Sequence, residues 1–342
     1  MHKYRFENDY SELCHPAVIE ALGRMGTRQF AGYSQDVISQ EAVALLRDIV
    51  EKPDAGVHFL SGGTQANLVG LGWMLSPIGA VVAADTGHIN VYEAGAIEAT
   101  GHKVCTVPHR LGKLDLGAME KLLEYHQQEE LVTPEVVFLS QSTELGTIYR
   151  KSELEGIRTF CDRWNLLLFI DGARIGAAVA SDISDVQMAD IAEVADAFFI
   201  GGTKNGALYG EALITVNPKL HKGFRSFSRQ RGAMLAKGYA VGVQFRELFK
   251  DGLYFELARH ANETARTLCD GIGKLGYRLW QERESNQVFP VLPNEVIAEL
   301  QKLYGFYVWE KYDKDQSVVR LVTSWATPAE KVDNFLSDLP AA

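Results

Sequence analysis

The stretch LLLFIDGARIGAA, residues 166–178, decides the fold class of this chain. Its first five residues are uniformly apolar, which predicts a short strand buried on both faces of a sheet. The polar side chains of Asp171 and Arg174 follow immediately, and a second apolar segment comes after them. A buried strand that leads through a short polar turn into a helix is the unit from which parallel α/β sheets are built.

The same unit recurs along the first two thirds of the chain. Apolar runs typical of buried strands occur at residues 57–60, 80–83, 103–107, 136–139, 166–170 and 197–200. Segments with helical spacing separate them, at residues 65–75, 91–100, 116–128 and 151–164. This alternation predicts an α/β fold with a mainly parallel sheet between two layers of helices.

The pattern changes from about Tyr239 onwards. A long helical stretch covers residues 239–275, and short strands are predicted at 277–280, 287–291, 306–309 and 318–323. This composition is typical of a smaller α+β domain, and the first residues resemble an arm that folds against the main domain or a partner subunit. We therefore expect an N-terminal arm (1–37), a large domain (38–238) and a small C-terminal domain (239–342).

The composition of the 342 residues narrows the class of protein. A hydrophobic content of 46% is ample for a buried core, and a net charge of −10, spread along the chain, disfavours nucleic acid and anionic membranes as partners. The four cysteines are far apart and form no C-x-x-C pair, which favours free thiols in the cytoplasm. The start of the chain has no apolar signal segment, no apolar run is long enough to span a membrane, and no metal site is expected.

Ligands of open α/β sheets bind beyond the carboxyl ends of the strands, so the turns at those ends identify the candidate site. The first is SGGTQAN, residues 61–67, where two glycines precede a helix that begins at about Thr64. Backbone N–H groups at such a helix start can hold a phosphate. The alternative is an ordinary turn capped by Thr64, and the segment does not match the G-x-G-x-x-G or Walker patterns.

Three further side chains follow strands at the same edge. Asp171 needs a cationic partner if it is buried, unless it caps the next helix and pairs with Arg174. Lys204, in GGTKNGALYG (201–210), is a nucleophile if its pKa is depressed, although a lone lysine in a turn is usually solvated. His88, in DTGHINVYEAGA (85–96), can stack on a flat cofactor or act as a cap. Their common edge and chain order favour a single site.

Eight motifs in order carry a resemblance over most of the chain. They are NDYSELCHPAVIEAL (8–22), YSQDVISQEA (33–42), FLSGGTQANL (59–68), HINVYEAGA (88–96), STELGT (142–147), DGARIGAA (171–178), TKNGA (203–207) and RLVTSW (320–325). Together they resemble the low-specificity threonine aldolase family, within the aspartate-aminotransferase-like fold (fold type I) of enzymes that use pyridoxal phosphate (PLP). The resemblance implies a large PLP-binding domain with a seven-stranded sheet.

The resemblance also implies a role for each matched residue. Lys204 bonds the PLP aldehyde, Asp171 keeps the pyridine nitrogen protonated, and His88 stacks on the ring and takes part in proton transfer. The remaining cofactor-binding residues are Gly62, Gly63, Thr64 and Thr203 at the phosphate, Ser142 near the ring, and Arg174. The substrate carboxylate is bound by Arg174 and Arg320, with Asn8 and Tyr33 contributing from the N-terminal segment.

The activity implied is aldol cleavage of threonine, allo-threonine or an aryl-serine to glycine and an aldehyde. Two alternatives stay open at this point: a β-eliminating lyase or aminotransferase on the same fold, and a catalytically inactive binding subunit. The resemblance also implies a homodimer or homotetramer.

Three positions depart from the family pattern. The usual ENT turn is QSTE here, so Ser142 replaces an asparagine, and Glu144 is an added acid that could be a base or a surface charge. His126 lies too early to be the family's second histidine. Leu235 stands where the family has an arginine that approaches the phosphate from a neighbouring subunit, and the candidates to replace it are Arg229, Arg231 and Lys237.

Overall fold

A computed structural model describes residues 3–342 of the chain. The strands are β1 (Tyr4–Arg5), β2 (Gly56–Leu60), β3 (Gly79–Ala84), β4 (Lys103–Val107), β5 (His109–Arg110), β6 (Lys113–Leu114), β7 (Thr133–Ser140), β8 (Leu167–Asp171), β9 (Ala197–Gly201), β10 (Glu211–Thr215), β11 (Gln287–Val288), β12 (Val291–Pro293), β13 (Tyr304–Gly305), β14 (Tyr307–Lys311) and β15 (Gln316–Val322). The α-helices are α1 (Pro16–Met25), α2 (Val37–Ile49), α3 (Gly63–Met74), α4 (His88–Val91), α5 (Leu116–Tyr125), α6 (Lys151–Trp164), α7 (Ile175–Val179), α8 (Met188–Val194), α9 (Phe224–Gln230), α10 (Tyr239–Phe249), α11 (Leu253–Lys274), α12 (Asn294–Gln301) and α13 (Ala329–Asp338).

The central sheet has seven strands in the order β2-β10-β9-β8-β7-β3-β4. The five strands from β9 to β4 run parallel to their neighbours, whereas β10 is antiparallel to both β2 and β9. The predicted fold class is therefore confirmed. All six predicted apolar runs coincide with strands of this sheet, although β8 begins one residue later than predicted, and β10 is a seventh strand that the sequence analysis did not identify.

Helices cover both faces of the sheet because its inner strands are apolar on both sides. Phe138, Phe169 and Phe199 pack with α3 on one face, whereas their neighbours along the strands point into a second core on the other. Helix α3 comes very close to the sheet, since a Cβ on Gly70 would lie 2.5 Å from the ring of Phe169. This close approach fixes the start of α3 against the carboxyl ends of the strands.

The C-terminal region forms a separate core, distinct from the two cores of the central sheet, beneath a small antiparallel sheet in which β15 pairs with β11, β12 and β14. The N-terminal residues join this core: β1 pairs with β13, and Phe6 is fully buried there. Helix α10 packs instead in the core of the central sheet. The division at residues 37 and 238 stays a prediction, and residues 1 and 2 of the predicted arm lie outside the described range.

Three predicted elements differ from the structure. The helix predicted at 91–100 is wrong: α4 ends at Val91, because Ala94 and Gly95 adopt φ angles of 50° and 75°, and only a 3₁₀ turn follows at Glu98–Thr100. The stretch 239–275 is two helices, separated at Gly252 with φ of 76°. The strand predicted at 277–280 is a single bridge between Leu279 and Pro290.

Two further observations concern the whole described range. All four cysteines are free thiols, at positions 14, 105, 161 and 269, and burial raises the pKa of each. None of the helices between residues 3 and 342 is both long enough and apolar enough to cross a bilayer. Neither observation identifies a compartment, so the predicted cytoplasmic location remains untested.

Candidate active site

The turn after β2 presents an open helix start at the edge of the central sheet. Gly62 is the N-cap of α3, and within the described residues no side chain caps this helix. Thr64 lies in the first turn of the helix and is exposed, so the alternative of a threonine cap is wrong. The N–H groups of Gly63 and Thr64 have no acceptor within the helix and can therefore bind an anion.

Asp171 is the last residue of β8 and is buried. Its Oδ1 accepts a hydrogen bond from the N–H of Ala173 at 2.9 Å, and its Oδ2 accepts one from Asn67 Nδ2 at 2.9 Å. Arg174 is not its partner, and across residues 3–342 no cationic side chain forms an ion pair with it. A buried carboxylate without a counter-ion requires a cationic ligand, and a protonated pyridine nitrogen is one.

A hydrogen-bonded network connects Asp171 to His88. Asn67 Nδ2 also donates to Glu93 Oε1 at 2.7 Å, and the same oxygen lies 2.8 Å from His88 Nδ1. Because an ionised carboxylate only accepts hydrogen bonds, Nδ1 carries the proton and His88 Nε2 is left as the basic nitrogen. The exposed third of this side chain leaves the ring accessible from the site.

His88, Glu93 and Asp171 also have ligand atoms within 4.8 Å of one another, the spacing of a metal site. The amide nitrogen of Asn67 donates to both carboxylates from between them, and a hydrogen-bond donor in that position opposes a cation. The three residues are therefore accounted for by hydrogen bonds, and the expectation that no metal binds stays a prediction.

Glu144 lies inside the site, so the interpretation as a surface charge is wrong. Its Oε1 accepts hydrogen bonds from the backbone N–H of His88 at 2.9 Å and from Ser140 Oγ at 2.6 Å. Burial raises the pKa of Glu144, and the nearby charge of Asp171 adds to the effect. Ser142 is buried two residues earlier, and its Oγ has no hydrogen-bond partner anywhere in residues 3–342. Glu144 thus holds the start of α4, and with it His88, against the end of β7.

Lys204 lies in the turn after β9 and lines the same cavity as Arg174, one of the residues expected to bind substrate. Together with Asp9, Arg174 and Asn286 it lines a small cavity of about 10 Å³. Burial lowers the pKa of Lys204, and the positive charge of Arg174 lowers it further. A solvated lysine has neither feature, so that alternative is wrong, and the ε-amine has the environment of a nucleophile.

Arg174 is paired with Asp9, a residue that the sequence analysis quoted in a motif without giving it a role. Nε and Nη2 of Arg174 donate to the two oxygens of Asp9 at 2.7 and 3.0 Å, and Asn286 Nδ2 donates to Asp9 Oδ2 at 3.0 Å. Burial alone would raise the pKa of Asp9, but the charges of Arg174 and Lys204 lower it overall. Asn8 accepts hydrogen bonds from Tyr10 N–H and the Ser11 hydroxyl within its own turn.

Arg320, on β15, is the second guanidinium of the site. It lies over the rings of Tyr307 and Trp309, at 5.4 and 5.1 Å, and its Nη2 is 3.4 Å from the carbonyl oxygen of Glu7. Within the described part of the chain, its buried Nε has no hydrogen-bond partner. Burial lowers the pKa of Arg320, and the positive charge of Arg174 lowers it further. Two adjacent guanidinium groups with an open donor form a site for a carboxylate.

Tyr33 lies beside the segment in which the family arginine is absent. Its ring contacts the guanidinium of Arg229 at 4.4 Å, and it lines a cavity of about 270 Å³ together with Leu60 and Leu235. Leu60 lies just before the open start of α3. Of the three candidates to replace the family arginine, Arg229 is the one seen in contact with a residue that lines this cavity. His126 bonds the carbonyl oxygen of Val132 at 2.8 Å, just beyond α5.

Five residues of the site had been given no role from the sequence. Three of them stand in quoted motifs and could have been found there: Asp9, Asn67 and Glu93. Asn286 has no local signal, because it reaches Asp9 only through tertiary packing. Glu211 begins β10, the strand that was not predicted, and its carboxylate accepts a hydrogen bond from the hydroxyl of Thr203 at 2.8 Å. The predicted roles of the individual site residues stay predictions.

Within residues 3–342, three features of the arrangement fit PLP: a buried carboxylate without an ion-pair partner at Asp171, an open helix start at Gly63, and a half-buried lysine, Lys204, whose pKa is lowered. Each of these three groups has a complementary group on PLP. The pyridine nitrogen, the phosphate and the aldehyde correspond to these three groups in turn.

Comparisons with known proteins support the same conclusion. A family model described as beta-eliminating lyase matches residues 16–294. A low specificity L-threonine aldolase of Pseudomonas aeruginosa is 30% identical, with 99% of this chain and 97% of that protein aligned. The solved structure of a Leishmania major threonine aldolase is 44% identical, covers 98% of each chain and has a TM-score of 0.96.

More distant structures share the fold alone. A mutant of Thermus thermophilus aspartate aminotransferase is 17% identical and has a TM-score of 0.74, with 98% of this chain and 90% of that chain covered. The fold of the aminotransferases is thus retained where little sequence identity is left. Taken with the match over residues 16–294, these findings establish that the chain belongs to the β-eliminating lyase family and is a PLP-dependent lyase with the aspartate-aminotransferase-like fold.

Proposed function

We propose that this chain is an aldolase that cleaves L-threonine, L-allo-threonine or a related β-hydroxy-α-amino acid to glycine and an aldehyde. The observation that carries the proposal is the position of Arg174, which lines one cavity with Lys204 and whose charge also acts on Arg320. An amine-binding lysine and two guanidinium groups suit the amine and the carboxylate of an amino acid. The relatives at 30% and 44% identity are named as threonine aldolases. No observation favours an aminotransferase or an inactive binding subunit.

The residues that would hold PLP lie along one edge of the sheet. Lys204 Nζ would bind it covalently, Asp171 would pair with the ring nitrogen, and the N–H groups at Gly63 and Thr64 would bind the phosphate. Gly62 gives this turn its extended backbone, and Ser142 Oγ is a buried group in need of a partner. When bound, PLP supplies an electron-accepting ring that stabilises the negative charge left on Cα after bond cleavage.

The two arginines orient the substrate through its carboxylate. Nε and Nη2 of Arg174 already bind Asp9, so this guanidinium has its other amino group to offer. Arg320 offers the unpaired Nε–H together with its neighbouring Nη. A carboxylate held between the two fixes the rotation about the Cα–N bond, and this rotation selects which bond to Cα lies perpendicular to the ring. In the proposed reaction the selected bond would be Cα–Cβ.

His88 Nε2 is the nitrogen that accepts the proton of the β-hydroxyl group. Glu93 binds Nδ1 and thereby keeps the lone pair on Nε2, as a carboxylate does for a histidine base. Glu144 supports the same residue from behind by accepting the backbone N–H of His88. His88 would thus both contact the ring and move the proton.

The decisive experiment is a product analysis with the purified chain, PLP and L-threonine. We expect equimolar glycine and acetaldehyde, and a visible absorbance band from bound PLP. Lys204→Ala removes the nucleophile and is expected to abolish the covalent band and to lower activity by at least about 1,000-fold. Lys219→Ala, at an exposed lysine, is the matched control and should retain full activity. Formation of a keto acid, or of ammonia without glycine, would contradict the aldolase proposal. It would instead indicate an aminotransferase or a β-eliminating lyase.

The chain is also proposed to act as a homodimer or homotetramer in the cytoplasm. The N-terminal 37 residues expose several large apolar side chains, namely Tyr10, Leu13, Ile19 and Val37. Exposed large apolar side chains are enriched at subunit interfaces, which supports an assembly through this segment. Sedimentation equilibrium of the purified chain tests the assembly, since a monomer across the micromolar range would contradict it.

A further inference from the structure

Glu211 is a buried acid that neither the resemblance nor the proposed reaction uses. It is the first residue of β10, and only 4% of its surface is exposed. Because β10 is antiparallel, its start lies at the edge where its two neighbouring strands end, opposite Gly201 of β9 and Leu60 of β2. The antiparallel direction of β10 therefore places Glu211 among the turns that follow the carboxyl ends of the neighbouring strands.

Both oxygens of Glu211 bind the turn that carries Lys204. Oε2 accepts the backbone N–H of Gly202 at 2.7 Å, and Oε1 accepts the hydroxyl proton of Thr203 at 2.8 Å. The hydroxyl of Thr203 in turn accepts the N–H of Gly210 at 3.1 Å, which closes the loop between β9 and β10. The two residues that precede Lys204 are therefore both fixed by one carboxylate.

Three titratable groups face Glu211. They are Lys204 in the turn, Asp171 at the end of β8, and Tyr254 of α11, whose hydroxyl donates to the carbonyl oxygen of Gly201 at 2.9 Å. Lys204 also faces Arg174, whose charge lowers the pKa of its amine, and Asp9 and Asp171, whose charges raise that pKa as the charge of Glu211 does. Among these groups, Glu211 is the acid that holds the lysine turn by hydrogen bonds.

We propose that Glu211 is a positioning residue for Lys204: its carboxylate fixes the turn that presents the amine, and its negative charge holds the proton on that amine. Only one element of the proposed function is needed here, namely that Lys204 is the lysine that binds PLP. Coulombic attraction between the carboxylate and the ammonium group raises the pKa of Lys204, so neutralising Glu211 is expected to lower that pKa.

The direction of the pH dependence follows from the acid itself. Burial raises the pKa of Glu211 to about 7, while its hydrogen bonds from Thr203 and Gly202 and the charge of Lys204 oppose the increase. Below pH 7 the acid is mostly neutral and has little effect on the lysine. Above pH 7 it is an anion and disfavours the neutral amine, which is the form that attacks an aldehyde. Glu211 is therefore expected to favour the protonated form of the Lys204 amine in alkaline solution but not in mildly acidic solution.

The test is the rate at which the PLP-free enzyme captures PLP, followed by stopped-flow absorbance between pH 6 and pH 8.5. Glu211→Gln retains groups that can hydrogen-bond but removes the charge, so it should capture PLP about 3- to 10-fold faster than wild type at pH 8. At pH 6 the two rates should agree within about twofold, because the wild-type acid is neutral there. Equal rates of wild type and Glu211→Gln at both pH values would overturn the proposal.

Three further variants keep the result interpretable. Thr203→Val removes the hydroxyl and keeps the acid, so it should slow capture equally at pH 6 and pH 8. Glu211→Ser removes the same charge with a small side chain and provides the test if Glu211→Gln does not fold, as judged by circular dichroism. Lys204→Ala tests the underlying function separately: if it captures PLP as wild type does, the PLP-binding lysine is wrong, whatever Glu211 does.

Discussion

The two sides of the active site are built in different ways. The ring side consists of Asp171, Asn67, Glu93 and His88, which all lie at or just beyond the carboxyl edge of the central sheet. The carboxylate side consists of Arg174, Asp9, Asn286 and Arg320, which come from the N-terminal segment, the central sheet and the C-terminal region. Among residues 3–342, the ring side surrounds a carboxylate that has no counter-ion, whereas the carboxylate side pairs one guanidinium and leaves the other partly open.

Because of this difference, substitutions on the two sides should affect different properties of the enzyme. The ring side forms as soon as the sheet and the helices behind it are packed, so a change there should alter the reaction more than the fold. The carboxylate side exists only when three parts of the chain dock, and its Asp9–Arg174 pair is buried at their junction. A change there should affect stability and substrate binding together.

The largest effect on activity in this comparison is expected for Asp171→Ala on the ring side. Loss of the carboxylate removes the proposed partner of the ring nitrogen and leaves Asn67 with an unused donor. We expect kcat for L-threonine cleavage to fall between about 100- and 10,000-fold, with a much smaller change in KM. Steady-state kinetics at saturating PLP measures both constants.

The control for this variant is Asp85→Ala, which removes an exposed acid one residue beyond β3, at the same edge of the sheet. It should leave kcat unchanged. A kcat of Asp171→Ala within about fivefold of wild type would remove Asp171 from the chemistry.

A smaller but still large effect is expected for Asp9→Asn on the carboxylate side. Breaking a buried ion pair costs about 3 kcal/mol of unfolding free energy, because Arg174 then lacks a counter-ion. The pKa of Asp9 is held below its ordinary value of 3.8, so the ion pair contributes fully above that pH and is lost only as the pH falls below it. Urea unfolding should therefore give the same difference from wild type at pH 5 as at pH 8.

The matched control is Asp162→Asn, which removes the exposed partner of Arg158 on α6 and should cost well under about 1 kcal/mol. A difference for Asp9→Asn that already shrinks between pH 8 and pH 5 would mean that the pKa of Asp9 is raised. The pair with Arg174 would then not be what stabilises the junction.

The same contrast explains how much of the molecule could be predicted from sequence. Asp171 and the turn that carries Lys204 directly follow apolar runs, so local pattern predicts both the strands and the place of these two residues at the edge of the sheet. Asn286 lies 277 positions from Asp9, and their contact depends on the docking of separate regions. The motifs showed Arg174 and Arg320, but no local feature indicated that Asp9 occupies the fork of Arg174.

Individual elements were predicted wrongly where the strand direction or the local backbone conformation differs from the repeated strand–helix unit. Strand β10 is antiparallel and follows a nine-residue turn without a helix, so it lacks the strand–helix alternation that identified the others. Glu211 was missed with it. The helix predicted at 91–100 has suitable apolar spacing, but Gly95 adopts a φ angle that no helix allows. In both cases tertiary contacts, rather than periodicity, determine the conformation.

The smallest of these effects, and the one that distinguishes the two arginines, is expected for Arg320→Lys. Lysine keeps the charge but loses the buried Nε–H and the planar contact with Tyr307 and Trp309. We expect KM for L-threonine to rise about 10-fold with a smaller decrease in kcat, and the unfolding free energy to change little, since Nε has no partner within the described residues of the free enzyme. Arg278→Lys, at an arginine stacked on Tyr312 at 4.2 Å, is the matched control and should leave KM unchanged.

Arg174→Lys should behave differently, because a lysine cannot reproduce the two hydrogen bonds that Arg174 makes with Asp9. Its KM should rise as in Arg320→Lys, but its urea midpoint should fall as well, towards that of Asp9→Asn. The double variant Asp9→Asn/Arg174→Lys should then lose less stability than the sum of the single changes, as expected for two groups in direct contact. Strict additivity, or equal urea midpoints for Arg174→Lys and Arg320→Lys, would show that Arg174 does not contribute more to the stability of the fold than Arg320 does.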